Sequence, residues 1–194
     1  MMPEVAVGGI ARGVAVAANR RTVYFRYFKL VFNHGLQHGR VDTTDDQSAV
    51  AIWYTRDQVP LVESTGHYYE VERATGRYAP RFLLLDAIFE THHPHAPHDY
   101  LAYVAVDPRH QGRGVGTALL TNAHQTLDAA NRAAYLEASN TRNRDLYQRL
   151  GYRQGAPIHL PTEGPLIWRM WRGQPTDGTP APFPTDLLPH RSPL

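Results

Sequence analysis

Three glycines at alternate positions, Gly112, Gly114 and Gly116, stand between an apolar run and a helical pattern. The run, Tyr100 to Val106, reads as a buried strand that stops at the turn signal Asp107-Pro108. Beyond Gln111-Gly112-Arg113-Gly114-Val115-Gly116-Thr117, the apolar residues Leu119, Ala123, Leu127 and Ala130 recur at helical spacing, predicting a helix from Thr117 to about Ala130. Such a loop lets backbone N–H groups converge on an anion, and the helix N-terminus adds its partial positive charge. That chemistry suits a pyrophosphate. A P-loop is excluded because Gly116-Thr117 lacks the lysine, and the dinucleotide fingerprint because the spacing is G-x-G-x-G. A glycine-rich turn with no ligand is the plainer alternative.

A second constellation lies downstream, its Asn140-to-Gly151 part about 25 to 35 residues beyond the glycine loop. Tyr135-Leu-Glu137-Ala-Ser-Asn140 reads as a short strand whose alternation sends Tyr135 and Glu137 to one face. Thr141 to Leu150 reads as a short helix, opened by Asn140 as N-cap and closed by Gly151. Leu146 and Leu150 give it one apolar stripe, next to Tyr147.

Gln111, Gly114 and Gly116, in the form Q-x-x-G-x-G after Val-Asp-Pro, resemble the coenzyme-A-binding signature of the GNAT superfamily of N-acetyltransferases. Asn140, Leu146-Tyr147 and Leu150-Gly151-Tyr152 resemble that superfamily's motif N-x-x-x-x-x-L-Y-x-x-x-G-[FY]. Five segments are similar to the puromycin N-acetyltransferase branch: Ala49–Thr55, Pro94–Ala102, Val106–Gly114, Tyr135–Asn143 and Gly164–Met170. The resemblance implies an α/β fold, with a mixed, mostly antiparallel twisted sheet flanked by helices and two strands splayed into an acetyl-CoA cleft. It implies acetyl-CoA as cosubstrate, no metal, and a primary amine of a small molecule, such as an antibiotic or metabolite, attacking directly in a ternary complex. The strand end Val104-Ala105-Val106 and the loop Gln111 to Thr117 would bind the cofactor. Asn140 resembles the residue on the pantetheine arm, whereas Asn143 serves either the adenine side or only the helix start. Tyr147 resembles the family's general acid.

An ammonium must lose a proton before it attacks a thioester, and the departing thiolate must gain one. A phenol can supply the second proton, and Glu137, acidic in the puromycin-type pattern too, is the candidate base. A water relay, a solvated strand carboxylate and a core-packing Tyr147 remain open at this level. A non-catalytic acyl-CoA-binding module and a protein-amine acetyltransferase are the alternative functions.

The elements positioning these residues alternate between strand and helix, which argues for an α/β sheet. Helices are expected at Arg21–His38, loosened by Gly35 and Gly39, and near Arg81–Glu90, with strands at Ser48–Tyr54 and Leu166–Trp171. One acetyltransferase domain is expected over residues 1–172, its first strand missing or built from Glu4–Val16, followed by a Pro-rich tail over 173–194. Without cysteine there is neither a disulfide framework nor a thiol nucleophile. The 20 basic residues include a single lysine, Lys29; at a net charge of +2 and scattered along the chain, they argue against nucleic acid. No apolar run approaches a membrane span of roughly 18 residues. A cytoplasmic monomer or homodimer is the expectation. His92, His93, His95 and His98, beside two prolines, read as an exposed loop or an acceptor-site lip rather than a metal site, and Asp99 as a carboxylate altering the acceptor pocket.

Overall fold

The computed structural model describes residues 17–57, 66–161 and 164–173. Its helices are α1 (Ala17–His38), α2 (His67–Thr75), α3 (Ala79–His92), α4 (Val115–Ala129) and α5 (Thr141–Arg149). Its strands are β1 (Arg40–Thr43), β2 (Ala49–Arg56), β3 (His98–Val106), β4 (Ala134–Ala138), β5 (Arg153–His159) and β6 (Leu166–Arg172). The six strands form one sheet in the order β1-β2-β3-β4-β6-β5. Every pairing is antiparallel except β3 with β4. The mixed, mostly antiparallel sheet expected from the sequence is therefore present.

Two apolar clusters clamp this sheet. Leu119, Leu120, Ala123 and Leu127 of α4 pack with Trp53, Leu101, Leu136 and Met170. Val23, Tyr24 and Tyr27 of α1 pack with Val71, Phe82 and Leu85 in the other. Helix α1 runs straight through Gly35, which is there for contact and does not loosen the helix. A Cβ at Gly35 would lie 2.6 Å from Ile52 Cγ2, so the missing side chain lets α1 approach β2.

Three elements carried no clear signal in the sequence. Strand β1 is four residues, two of them charged; β5 contains Gly155 and Pro157, which a sheet tolerates at its edge, where β5 lies. Helix α2 is short and mixes two exposed tyrosines, Tyr68 and Tyr69, with charge. The expected first strand in Glu4–Val16 and the tail after Gly173 lie outside the described residues.

Candidate active site

Strands β3 and β4 are hydrogen-bonded neighbours only at Asp99↔Ala134 and Tyr100↔Tyr135. Beyond that point they diverge. On its other edge, β3 carries an extra residue: Ile52 pairs with Tyr103 and Trp53 with Leu101, leaving Ala102 as a bulge. A bulge bends its strand and raises the local twist, which turns β3 away from β4. The result is a cleft of about 320 Å³, including its open mouth. Leu101 to Val104 line one side, Leu136 to Ser139 the other, and Asn143 and Tyr147 close it from α5. Residues 102–106, although mid-sheet, remain partly exposed along this gap.

The glycine loop crosses one end of β3. Gln111 donates from Nε2 to the Val106 carbonyl at 3.0 Å, tying the loop to the strand end. Asp107 accepts from the Arg109 backbone N–H at 2.8 Å and pairs with its guanidinium, stiffening the turn. Gly112 and Gly114 take φ of +74° and +80°, conformations that disfavour a side chain. Among the described residues a Cβ on either would meet nothing within 4 Å. Gly116 differs: its Cβ would meet Val106 Cγ2 at 3.1 Å, so it serves close packing of α4 on β3. The first such backbone donor of α4 is Ala118, bonded to Gly114 O at 2.9 Å. The N–H groups of Val115, Gly116 and Thr117 precede it at the helix start, where no intrahelical acceptor exists. This cradle fits a phosphate.

The Leu-Tyr-x-x-x-Gly-Tyr pattern is a helix-ending device. Tyr152 N–H bonds Tyr147 O and Gly151 N–H bonds Gln148 O, each at 3.0 Å, with Gly151 at φ +88°. That is a Schellman cap, and the Tyr147 and Tyr152 rings make the apolar contact that accompanies it, with centroids 5.8 Å apart. Tyr147 is thus fixed at the last turn of α5, buried, with its phenol raised above its ordinary range by desolvation. At the other end Asn140 Oδ1 accepts from Asn143 N–H at 2.8 Å. The Asn140 oxygen is committed to the cap, while Asn143 lines the cleft.

Glu137 sits on β4 facing the gap, its side chain only 2% exposed. Among the described residues it forms no ion pair with an arginine. Tyr100 donates to Oε2 at 2.7 Å, while Oε1 is buried without a hydrogen-bond partner among the described residues. The carboxyl is pushed up to about 7, chiefly by burial, against opposing effects of Tyr100, Tyr135 and Arg56. The Tyr135 hydroxyl is near enough to favour the carboxylate yet forms no well-aligned bond with it. A carboxyl that changes charge near neutrality is matched to proton transfer at physiological pH.

Two expectations are corrected beside it. His93 and His98 are not on an exposed loop; they are buried, 2% and 0% exposed, behind Glu137. Asp99 does not face an acceptor pocket. Strand alternation turns it away from Tyr100, and it is held by Arg132 and, at 3.2 Å, by the Thr55 hydroxyl.

Residues 82–154 match the family model of the acetyltransferase (GNAT) domain. That span contains the bulged strand, the glycine loop, Glu137 and Tyr147. In this span the chain resembles a GNAT acetyltransferase domain. It is similar to a crystal structure described as histone acetyltransferase HPA2 and related acetyltransferase from Corynebacterium glutamicum, at 26% identity and TM-score 0.59 over 91% of this chain and 99% of that one. Arylalkylamine N-acetyltransferase 2 from Aedes aegypti matches at 14% identity and TM-score 0.49, covering 75% of this chain and 79% of that one. The ribosomal-protein-S18-alanine N-acetyltransferase of Escherichia coli matches at 20% and 0.45, covering 78% and 81%. Within the matched span the splayed strands are those the sequence motifs flank. No helix among the described residues is long and apolar enough to cross a membrane.

Proposed function

We propose that this chain is an acetyl-CoA-dependent N-acetyltransferase whose acceptor is a primary amine of a small molecule, attacking directly in a ternary complex. One observation carries the reading: Glu137 and Tyr147 line the same gap between β3 and β4. Acetyl-CoA supplies the activated acetyl thioester. Glu137 takes a proton from the ammonium, and the backbone of the splayed β3 offers N–H groups to the developing negative charge. Tyr147 returns a proton to the departing sulfur; the burial that keeps its phenol protonated also keeps a thiolate in that gap basic. Tyr103, hydroxyl-bonded to Tyr27 at 2.9 Å and edge-on to Phe28, gives the cleft an aromatic wall toward α1. The resemblance to the puromycin-type enzymes makes an aminonucleoside the first acceptor to try.

A thiol-release assay with acetyl-CoA across aminonucleosides, aminoglycosides, polyamines and peptide amines tests this. Release dependent on a small amine is the expected result; release with peptide amines alone makes the protein-amine reading the right one, and none with any acceptor removes the enzyme.

The loop has its own test. Gly114→Val places a β-branched residue at φ +80°, forcing the loop to rearrange. A hydrogen bond to a charged phosphate contributes about 1.5–3 kcal/mol. CoA affinity by calorimetry should therefore fall by about tenfold or more. Unchanged affinity in a folded variant would remove the loop from the cofactor site.

A further inference from the structure

The histidine pair behind Glu137 has a direction built into it. Helix α3 ends at His92, and His93 leaves it extended (ψ 136°), as a residue before proline must. Pro94 and Pro97 then fix a short return that brings His98, the first residue of β3, against His93. Their rings are 4.9 Å apart and their Nε2 atoms 2.9 Å apart. His98 Nδ1 lies 2.6 Å from the Ala96 carbonyl, which can only accept. Nδ1 of His98 therefore carries a hydrogen. Burial holds both rings neutral, lowering His93 to about 2 and His98 to about 4. A neutral His98 then presents a lone pair at Nε2, so His93 must donate from Nε2 and keep its own lone pair at Nδ1. That nitrogen lies 3.9 Å from the unpartnered Oε1 of Glu137.

Resting on the acetyltransferase reading of this site, we propose that His93 is a positioning residue for Glu137. Its Nδ1 lone pair receives the hydrogen of the carboxyl once Glu137 has taken a proton from the amine, and the Ala96 carbonyl, acting through His98, fixes that direction. The balance is simple. The ammonium N–H bond breaks, an O–H bond forms on Glu137, and that O–H donates to His93 without leaving the carboxyl. At 3.9 Å the bond is not yet made; the carboxyl must swing toward the ring by about 1 Å. The direction decides the sign. An acceptor facing the carboxyl favours its protonated form and so strengthens Glu137 as a base, whereas a donor there would favour the carboxylate and weaken it.

The surrounding charges support the neutral tautomers. From β2, Arg56 disfavours charge on both rings, while its own guanidinium pairs with Glu90 of α3 at 2.6 Å. His95 of the loop acts on His93 in the same sense. From β3, Asp99 favours a charged His98, but it is held by Arg132, which opposes. On the carboxyl itself, Tyr100 and Tyr135 favour ionisation and Glu90 opposes it.

Two spectroscopic measurements on the full chain, neither needing an acceptor, decide the matter. Imidazole ¹⁵N NMR at pH 7 should find His93 protonated on Nε2 and His98 on Nδ1; hydrogen on Nδ1 of His93 overturns the proposal. In His98→Phe, His93 loses its acceptor and turns Nδ1–H toward the carboxylate. The titration midpoint of Glu137, followed by carboxyl ¹³C NMR, should then fall by roughly one pH unit. A midpoint unmoved or raised in the folded variant overturns it too, and if the variant does not fold the wild-type tautomers alone decide. Where acetyl transfer does occur, the acid limb of kcat/KM should move with that midpoint. Correct tautomers without any transfer would defeat the enzymatic reading and leave the hydrogen-bond direction standing.

Discussion

Tyr147→Phe should lower kcat at least about tenfold, within the roughly 10²–10⁴-fold that general acid catalysis contributes, with CoA affinity nearly unchanged. The substitution removes one oxygen and leaves the ring. That ring makes the contact with Tyr152 that completes the cap, and the cap's hydrogen bonds use the backbone carbonyls of Tyr147 and Gln148. Helix α5 should therefore survive, as circular dichroism would check. The deleted group is the phenol proton, and a thioester with a more acidic leaving thiol needs that proton less. Such a substrate should recover part of the lost rate. A Phe variant that turns over like the wild type would make Tyr147 a packing residue only.

Glu137→Gln should cost about 10²-fold or more in turnover at neutral pH and progressively less at high pH, where the amine is free without a base. The wild-type rate should rise as the carboxyl ionises around pH 7, and the variant should lack that rise. A profile parallel to wild type at every pH would leave Glu137 structural. Stability should move the opposite way. Burial raises Glu137 from 4.5 to about 7, so the folded state binds its proton more tightly than the unfolded chain. Its favourable contribution is complete below about 4.5 and is lost as pH rises through about 7. Glutamine does not titrate, so the variant's stability relative to wild type should climb across that window, by roughly 3 kcal/mol at most. Urea midpoints measured at several pH values would check this, and a constant difference would contradict it.

The parts of the site that were legible in the sequence are those whose residue types are dictated within a few positions. Gly112 and Gly114 need positive φ, Gly151 ends a helix, and Asn140 starts one; each is a local backbone requirement. What escaped was set across the sheet. The bulge at Ala102 exists only relative to β2, and no run of residues from 98 to 106 announces it. His93 and His98 looked like loop histidines because their burial depends on Tyr135 of β4 and Trp171 of β6, whose rings lie about 5 Å away. Gly35 looked like flexibility, but its distance to Ile52 decides its use. Asp99 was misread for the same reason, since its partner Arg132 is 33 residues away.

In the proposed enzyme the cradle after β3 and the gap between β3 and β4 hold acetyl-CoA. An ¹H–¹⁵N NMR titration with CoA tests it without knowledge of the acceptor. Saturable shifts are expected of the amides of Gly112, Gly114, Val115, Gly116 and Thr117, with smaller ones along residues 101–104 and 136–139 and at Asn143. Shifts confined to other surfaces, or none at millimolar CoA, would contradict it.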